Sequence, residues 1–358
     1  MGDASLPRAQ ADLQGEEVEE RQFLSTDSLR EVNVLVTGFG PFKSFGTNPS
    51  YLIASSLSHH LNPESESASA ALKQLLPSSQ YPICDPDPRP YKVNVHVYPP
   101  PIRVAYDVVR ELIPRLVVDP ENGFDYVLHI GVAAGRENYT LETIAHRDHY
   151  KLKDVDEQDG SRAEAQWKVL GLPAAVDVGW NKEDVLSRWE VLTRQREDEY
   201  EREEMEKAGW REGSGMTLVE MAQWRSQVFL GKGKRAAVKL SKDAGRYLCE
   251  CIFYTSLGTR WREARDAEAV NPVAPPPSAQ RNTSKEKVGK VAFLHVPGGT
   301  GKHDIARGVR VAESAILAIV GSWESGYRNP DVYGRRKSEK GEACASPSIY
   351  ESKGTGDR

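Results

Sequence analysis

The chain has 358 residues, enough for one large domain or two ordinary ones. Its 47 basic and 52 acidic residues leave a net charge of −5 with no dense basic stripe, which argues against nucleic acid as a partner. No apolar run approaches the roughly 20 residues of a membrane span, and four irregularly spaced cysteines (Cys84, Cys249, Cys251, Cys344) form neither a disulfide framework nor a CxxC zinc pair.

The opening MGDASLPRAQADLQGEEVEERQ is acidic and lacks the apolar stretch of a secretory signal, so a soluble cytoplasmic protein with a disordered lead over residues 1–29 is expected. VNVLVTGF (32–39) reads as a buried strand ending in glycine. A helix follows, with Asn48 as N-cap and Pro49 at its first position. Residues 62–90 are rich in Ser and Pro and read as an inserted loop. YKVNVHVYP (91–99) is an alternating strand. The next helix is expected to place Val104, Val108, Leu112 and Leu116 on one side.

DYVLHIGV (125–132) is a second buried strand, and NYTLETIAH (138–146) alternates. Residues 157–234 read mostly as insertion, including a solvated, charge-laced helix over 187–215. RAAVKLS (235–241) is a strand, 247–258 a helix, and 265–287 a Pro- and Ser-rich loop. VAFLHVP (291–297) is a strand and 303–323 an amphipathic helix. The remainder, 326–358, reads as a disordered tail, which leaves a single domain over 30–325. Strands alternating with helices imply a three-layer α/β/α sandwich around an open, mostly parallel twisted sheet. Sites in such sheets gather at the carboxyl ends of the strands. TGFGPF, GVAAGR, LSKDAGRYLC and LHVPGG all stand at strand ends, so one edge can hold all four.

Cys249 follows a strand where the chain turns through Asp243, Ala244 and Gly245 into a helix. A helix N-terminus favours a thiolate and offers free amide N–H groups to an oxyanion. Cys251, two positions on, points roughly 200° away, so only one of the pair can face the edge. Buried packing of both as small core residues is the competing reading. A nucleophilic cysteine needs a base, and His295 ends the strand VAFLHV. Of the other histidines, His129 reads as buried in its strand, His59 and His60 as solvated, and His146 and His149 stay open by spacing. Glu142 interrupts an apolar and hydroxyl pattern, which suits either a partnered carboxylate or a solvent-facing position on an alternating strand. The glycines of VTGFGPF lack the third position of a dinucleotide fingerprint, where Lys43 stands. Phe39 and Phe42 beside them imply an apolar slot.

Taken together, VLVTGFGPF…NPS, HIGVAAGRENYTLETIAH, LSKDAGRYLCECIFYTSL and AFLHVP, in that order, resemble the pyroglutamyl peptidase I family, intracellular cysteine peptidases that remove an N-terminal pyroglutamate. The resemblance covers about half the chain. It implies a Glu–Cys–His triad at Glu142, Cys249 and His295, with Cys251 a bystander. It also implies a substrate pocket using Phe39, Phe42, Tyr247 and Leu248, peptides with N-terminal pyroglutamate as partners, and no metal or organic cofactor. Departures are Val132, where bacterial members carry Gln, and YKLKDVDEQDG, a loose equivalent of their Arg-Ile-Pro-Asp-Asn stretch. The inserts at 62–90, 157–234 and 265–287 have no bacterial counterpart. A non-catalytic relative that binds through these inserts is the alternative, and the oligomeric state stays open.

Overall fold

A computed structural model of the protein describes residues 29–42, 46–63, 82–84, Pro86, 89–118, 123–207, Thr217, 219–220, 222–223, 235–270 and 284–333. The expected N-terminal lead, most of the 62–90 loop, much of the 208–234 and 265–287 segments and the tail beyond 333 lie outside the described residues. Among the described residues no helix is long and apolar enough to cross a membrane.

The central sheet is built from strands β1 (Arg30–Gly38), β2 (His60–Leu61), β3 (Tyr91–Val97), β4 (Tyr126–Val132), β5 (Tyr139–Glu142), β8 (Val238–Ser241) and β9 (Val291–Val296). Their order is β2-β3-β1-β4-β9-β5-β8. β3, β1, β4 and β9 run parallel, whereas β5 is antiparallel to β9 and parallel to β8. A parallel strand covered on both faces must be apolar throughout. β9 and the first six residues of β4 are buried at every position, the pattern expected of runs such as VAFLHV.

Helices α1 (Pro49–Ser55), α4 (Lys182–Lys207) and α7 (Lys302–Glu324) pack together on one face, and α2 (Tyr106–Val118), α5 (Leu248–Val270) and α6 (Ser284–Val288) on the other. This is the expected three-layer sandwich. Asn48 caps α1 as read, its side chain accepting from the Ser50 N–H with Pro49 at the first position.

Four local readings are corrected. The buried face of α2 is Tyr106, Val109, Ile113 and Val117, one position along from Val108, Leu112 and Leu116, because α5 and the sheet set the rotation of the helix. Residues 138–146 are not one alternating strand. Thr143 separates fully buried β5 from β6 (Ile144–His146), which pairs with β7 (Ala175–Asp177) in a separate ribbon. The charged helix read as solvated is α4, and it forms a layer of the domain. Val185, Trp189 and Leu192 are buried on it, and the Trp189 indole N–H donates to the Val311 carbonyl at 3.0 Å. Each such side chain contributes on the order of 1.5–3 kcal/mol of burial, and the abundant charges of the opposite face mask that stripe. The ordered chain also passes residue 326. Asn329 is fully buried and bonds the Val178 and Gly179 backbone, leading into α8 (Pro330–Tyr333).

Candidate active site

The antiparallel register of β5 against β9 brings the first two candidate residues together. His295 lies directly opposite Thr140, so Glu142, two residues along β5, is its diagonal neighbour on the same face. The His295 Nδ1 meets Glu142 Oε1 at 2.7 Å, and both side chains are buried. Of the two readings of Glu142, the partnered carboxylate is the one the fold contains.

Cys249 reaches the same face from α5. The chain enters this helix through Gly245 and Arg246, both left-handed at φ 96° and 47°. Glycine adopts that conformation without steric cost, whereas Arg246 is held in it by its contacts. Asp243 Oδ1 accepts from the Gly245 N–H at 3.0 Å, and Glu250 Oε2 from the Arg246 N–H at 2.9 Å. Cys249 is thereby the second residue of the helix. The Cys251 N–H closes the first turn on Tyr247, and the N–H groups of Leu248, Cys249 and Glu250 have no partner among the described residues.

The thiol sits over Gly131, the β4 residue in register with His295. A Cβ at Gly131 would stand 3.0 Å from Cys249 Sγ and 2.6 Å from the Phe293 ring, so only glycine admits the thiol. Because Gly131 is paired with His295 across the β4–β9 ladder, the thiol over it stands beside that imidazole. Burial pushes His295 down, but Cys249 beside it as thiolate and as hydrogen-bond partner, together with Glu142, outweighs that and raises it to about 9. Cys251 has the opposite character. It is fully buried, and burial pushes its thiol far above the ordinary range.

Phe42 and Tyr247 remain partly exposed and form an aromatic wall, with ring centroids 5.3 Å apart. Tyr247 is buttressed by Tyr106 at 5.9 Å and donates its hydroxyl to the Lys153 carbonyl at 2.9 Å. Phe39 and Leu248 are core side chains. Phe39 bridges to Ile102 and donates its backbone N–H to Ser50 Oγ. The other histidines weighed in the sequence lie elsewhere. His129 is buried between Thr37 and Ser256, and desolvation lowers it to about 3. His146 pairs with Glu250 at 2.6 Å, and His59, His60 and His149 are exposed.

Sequence reasoning passed over two residues. Arg136, the last residue of GVAAGR, donates to Glu142 Oε1 at 2.8 Å and to the Asp243 carbonyl at 3.1 Å. Glu250 is fully buried and accepts from the His146 and Arg246 backbone N–H groups and from both their side chains. Its place directly after a candidate nucleophile, in an otherwise apolar helix start, was a usable signal for the second. Nothing in the spacing of Arg136 marked the first.

No protein-family model matches the chain. It is 27% identical over 225 residues to the pyroglutamyl-peptidase 1 of Rattus norvegicus, an alignment spanning 63% of this chain and 72% of the relative. The Homo sapiens protein of the same name matches to the same extent. Among solved structures, the pyrrolidone carboxyl peptidase of Thermococcus litoralis is similar at 15% identity and a TM-score of 0.42, covering 82% of this chain and 95% of that one. That of Thermus thermophilus is similar at 20% identity and a TM-score of 0.36, covering 81% and 99%.

Proposed function

We propose, on the premise that the chain belongs to the pyroglutamyl peptidase I family, that it is a cysteine exopeptidase releasing an N-terminal pyroglutamyl residue from peptides. The observation that carries the reading is the thiol of Cys249 at a helix N-terminus, over Gly131, beside a histidine held by a buried glutamate. A loosely packed cysteine in a core has none of these partners.

In this mechanism the Cys249 proton rests on His295, whose charge Glu142 stabilises. The thiolate attacks the pyroglutamyl carbonyl carbon, and the carbonyl oxygen becomes an anion held by the free N–H groups at the start of α5. His295 returns its proton to the peptide nitrogen, the C–N bond breaks and the shortened peptide leaves. Water, losing a proton to His295, then cleaves the thioester to release pyroglutamate and regenerate the thiol. The lactam lacks a free amino group, so its slot needs no carboxylate. Phe42 and Tyr247 form the apolar wall of that slot, and Phe39 and Leu248 support it from the core. Exchange of the lactam N–H and C=O with main-chain groups avoids the cost of about 1–3 kcal/mol for an unpaired buried polar group.

Release of a fluorescent amine from a pyroglutamyl amide tests the reading. Cys249→Ala is expected to lose about 10³-fold or more of kcat/KM, whereas Cys251→Ala keeps turnover. A folded, reduced wild-type protein that binds pyroglutamyl peptides without turning them over would replace the peptidase by a binding protein.

A further inference from the structure

We propose that Arg136 is a positioning residue for this reaction, one that neutralises the buried Glu142–His295–Cys249 cluster and ties it to the loop carrying the nucleophile. The inference rests on the peptidase reading for its catalytic meaning, but its physical content is testable without substrate.

Arg136 stands at the end of the turn after β4, its N–H donating to the Ala133 carbonyl at 2.9 Å. Its Nη1 reaches the same Glu142 oxygen that His295 uses, and its Nη2 reaches the carbonyl of Asp243. Asp243 opens the turn that delivers Cys249, and its carbonyl also accepts Ser241 Oγ at 3.3 Å. One planar guanidinium therefore spans the carboxylate and the nucleophile loop, which a point-charge ammonium cannot do.

A thiolate, an imidazolium and a carboxylate sum to one negative charge, and a buried net charge is costly. Arg136 brings the cluster to neutrality. The other charged and titratable groups on and beside the surrounding elements include His129 on β4, Glu137 beside Arg136, Tyr139 on β5, Lys239 and Lys242 at β8, Asp304 and Arg307 on α7, and Asp243, Arg246, Glu250 and Cys251 around the start of α5. None of them hydrogen-bonds Glu142 or His295, so among the described residues Arg136 is the cation bonded to the cluster. A nearby positive charge lowers the proton affinity of every member, and its removal raises all of them. Glu142 Oε2 is buried with no donor, so the carboxylate has no second hydrogen bond to take over from Arg136.

The test compares wild type, Arg136→Gln and Arg136→Lys. The pH titration of thiolate ultraviolet absorbance, taken as a difference from Cys249→Ala, reads the cluster directly. Arg136→Gln is expected to move the thiolate midpoint and both limbs of the kcat/KM profile up by about one pH unit. Its kcat should fall roughly 10- to 100-fold as the Asp243 tether is lost. Arg136→Lys is expected to keep the titration near that of wild type while kcat stays low. In the unmodified protein added salt should move the midpoint the same way, since Arg136 is about one-third exposed (32%). An Arg136→Gln protein with unmoved titration and limbs overturns the role of Arg136. A wild type whose thiolate absorbance titrates but which shows no turnover instead overturns the peptidase reading, and the absorbance shift in Arg136→Gln still decides the Arg136 question.

Discussion

Two buried glutamates in this molecule hold a histidine and an arginine in nearly the same way. Glu142 takes His295 at 2.7 Å and Arg136 at 2.8 Å, and Glu250 takes His146 and Arg246 at 2.6 Å each. Their surroundings separate them. Glu250 also accepts two backbone N–H groups and joins the end of β6 to the turn before α5, so both its oxygens are used. Glu142 accepts no backbone donor and leaves one oxygen unpartnered. His295 is almost fully buried and faces a thiol, whereas the side chain of His146 is about a quarter exposed (27%). The same glutamate–histidine–arginine set thus occurs twice here, and the one at Glu142 is set apart by a neighbouring nucleophile and an incomplete hydrogen-bond inventory.

Isosteric substitution of the two carboxylates breaks this comparison most directly. Glu142→Gln is expected to cost about 10³- to 10⁴-fold in kcat/KM, since an amide cannot hold the imidazolium. Its alkaline limb should move down from near 9 toward the ordinary histidine range, because the negative partner of His295 is gone. Glu250→Gln should instead read out in thermal unfolding, losing about 2–4 kcal/mol by breaking a buried, four-donor clamp. Activity per folded molecule should fall far less than in Glu142→Gln. Equal effects of both substitutions on activity would erase the distinction.

An effect of intermediate size lies in the pH dependence of stability. Burial raises the Glu250 carboxyl, but its hydrogen bonds to His146 and Arg246 outweigh that and hold it below its ordinary value. A depressed carboxylate contributes stability that is present above its unfolded pKa of about 4.3 and disappears as pH falls through the folded value. Acid unfolding of wild type should therefore be steeper below about pH 4.3 than that of Glu250→Gln, which calorimetry across that range measures. The smallest effect belongs to His146. His146→Ala should cost about 1 kcal/mol, because Glu250 keeps its other donors, and should leave the pH limbs of activity in place. His295→Ala should abolish turnover.

Cys249 and His295 were legible as candidates because they stand at a helix start and a strand end, and Glu142 because it interrupts an apolar and hydroxyl pattern, whereas their grouping as a triad came from the family resemblance. Helical geometry said only that one of Cys249 and Cys251 can face the site, and the resemblance chose Cys249; the fold separates them into a half-buried thiol at the site and a fully buried one in the core. Phe39 and Leu248 show the limit of such reading. Both neighbour the site in sequence, yet strand and helix geometry turn their side chains into the core. The misreading of α4 has a similar origin, since a narrow apolar stripe in a highly charged helix is weak until the partner surface of α7 is known.

What the sequence by itself determined is local: which segments form strands, where α1 is capped, where the chain must turn through glycine, and which thiol begins a helix. These follow from residue-by-residue sterics and from apolar periodicity. Only the tertiary structure decided that β5 runs antiparallel to β9, setting Glu142 diagonally beside His295, and that Arg136 bridges Glu142 to the Cys249 loop. Those relations join residues far apart in the chain, and strand order and register, which local pattern does not encode, are what bring them within hydrogen-bonding distance.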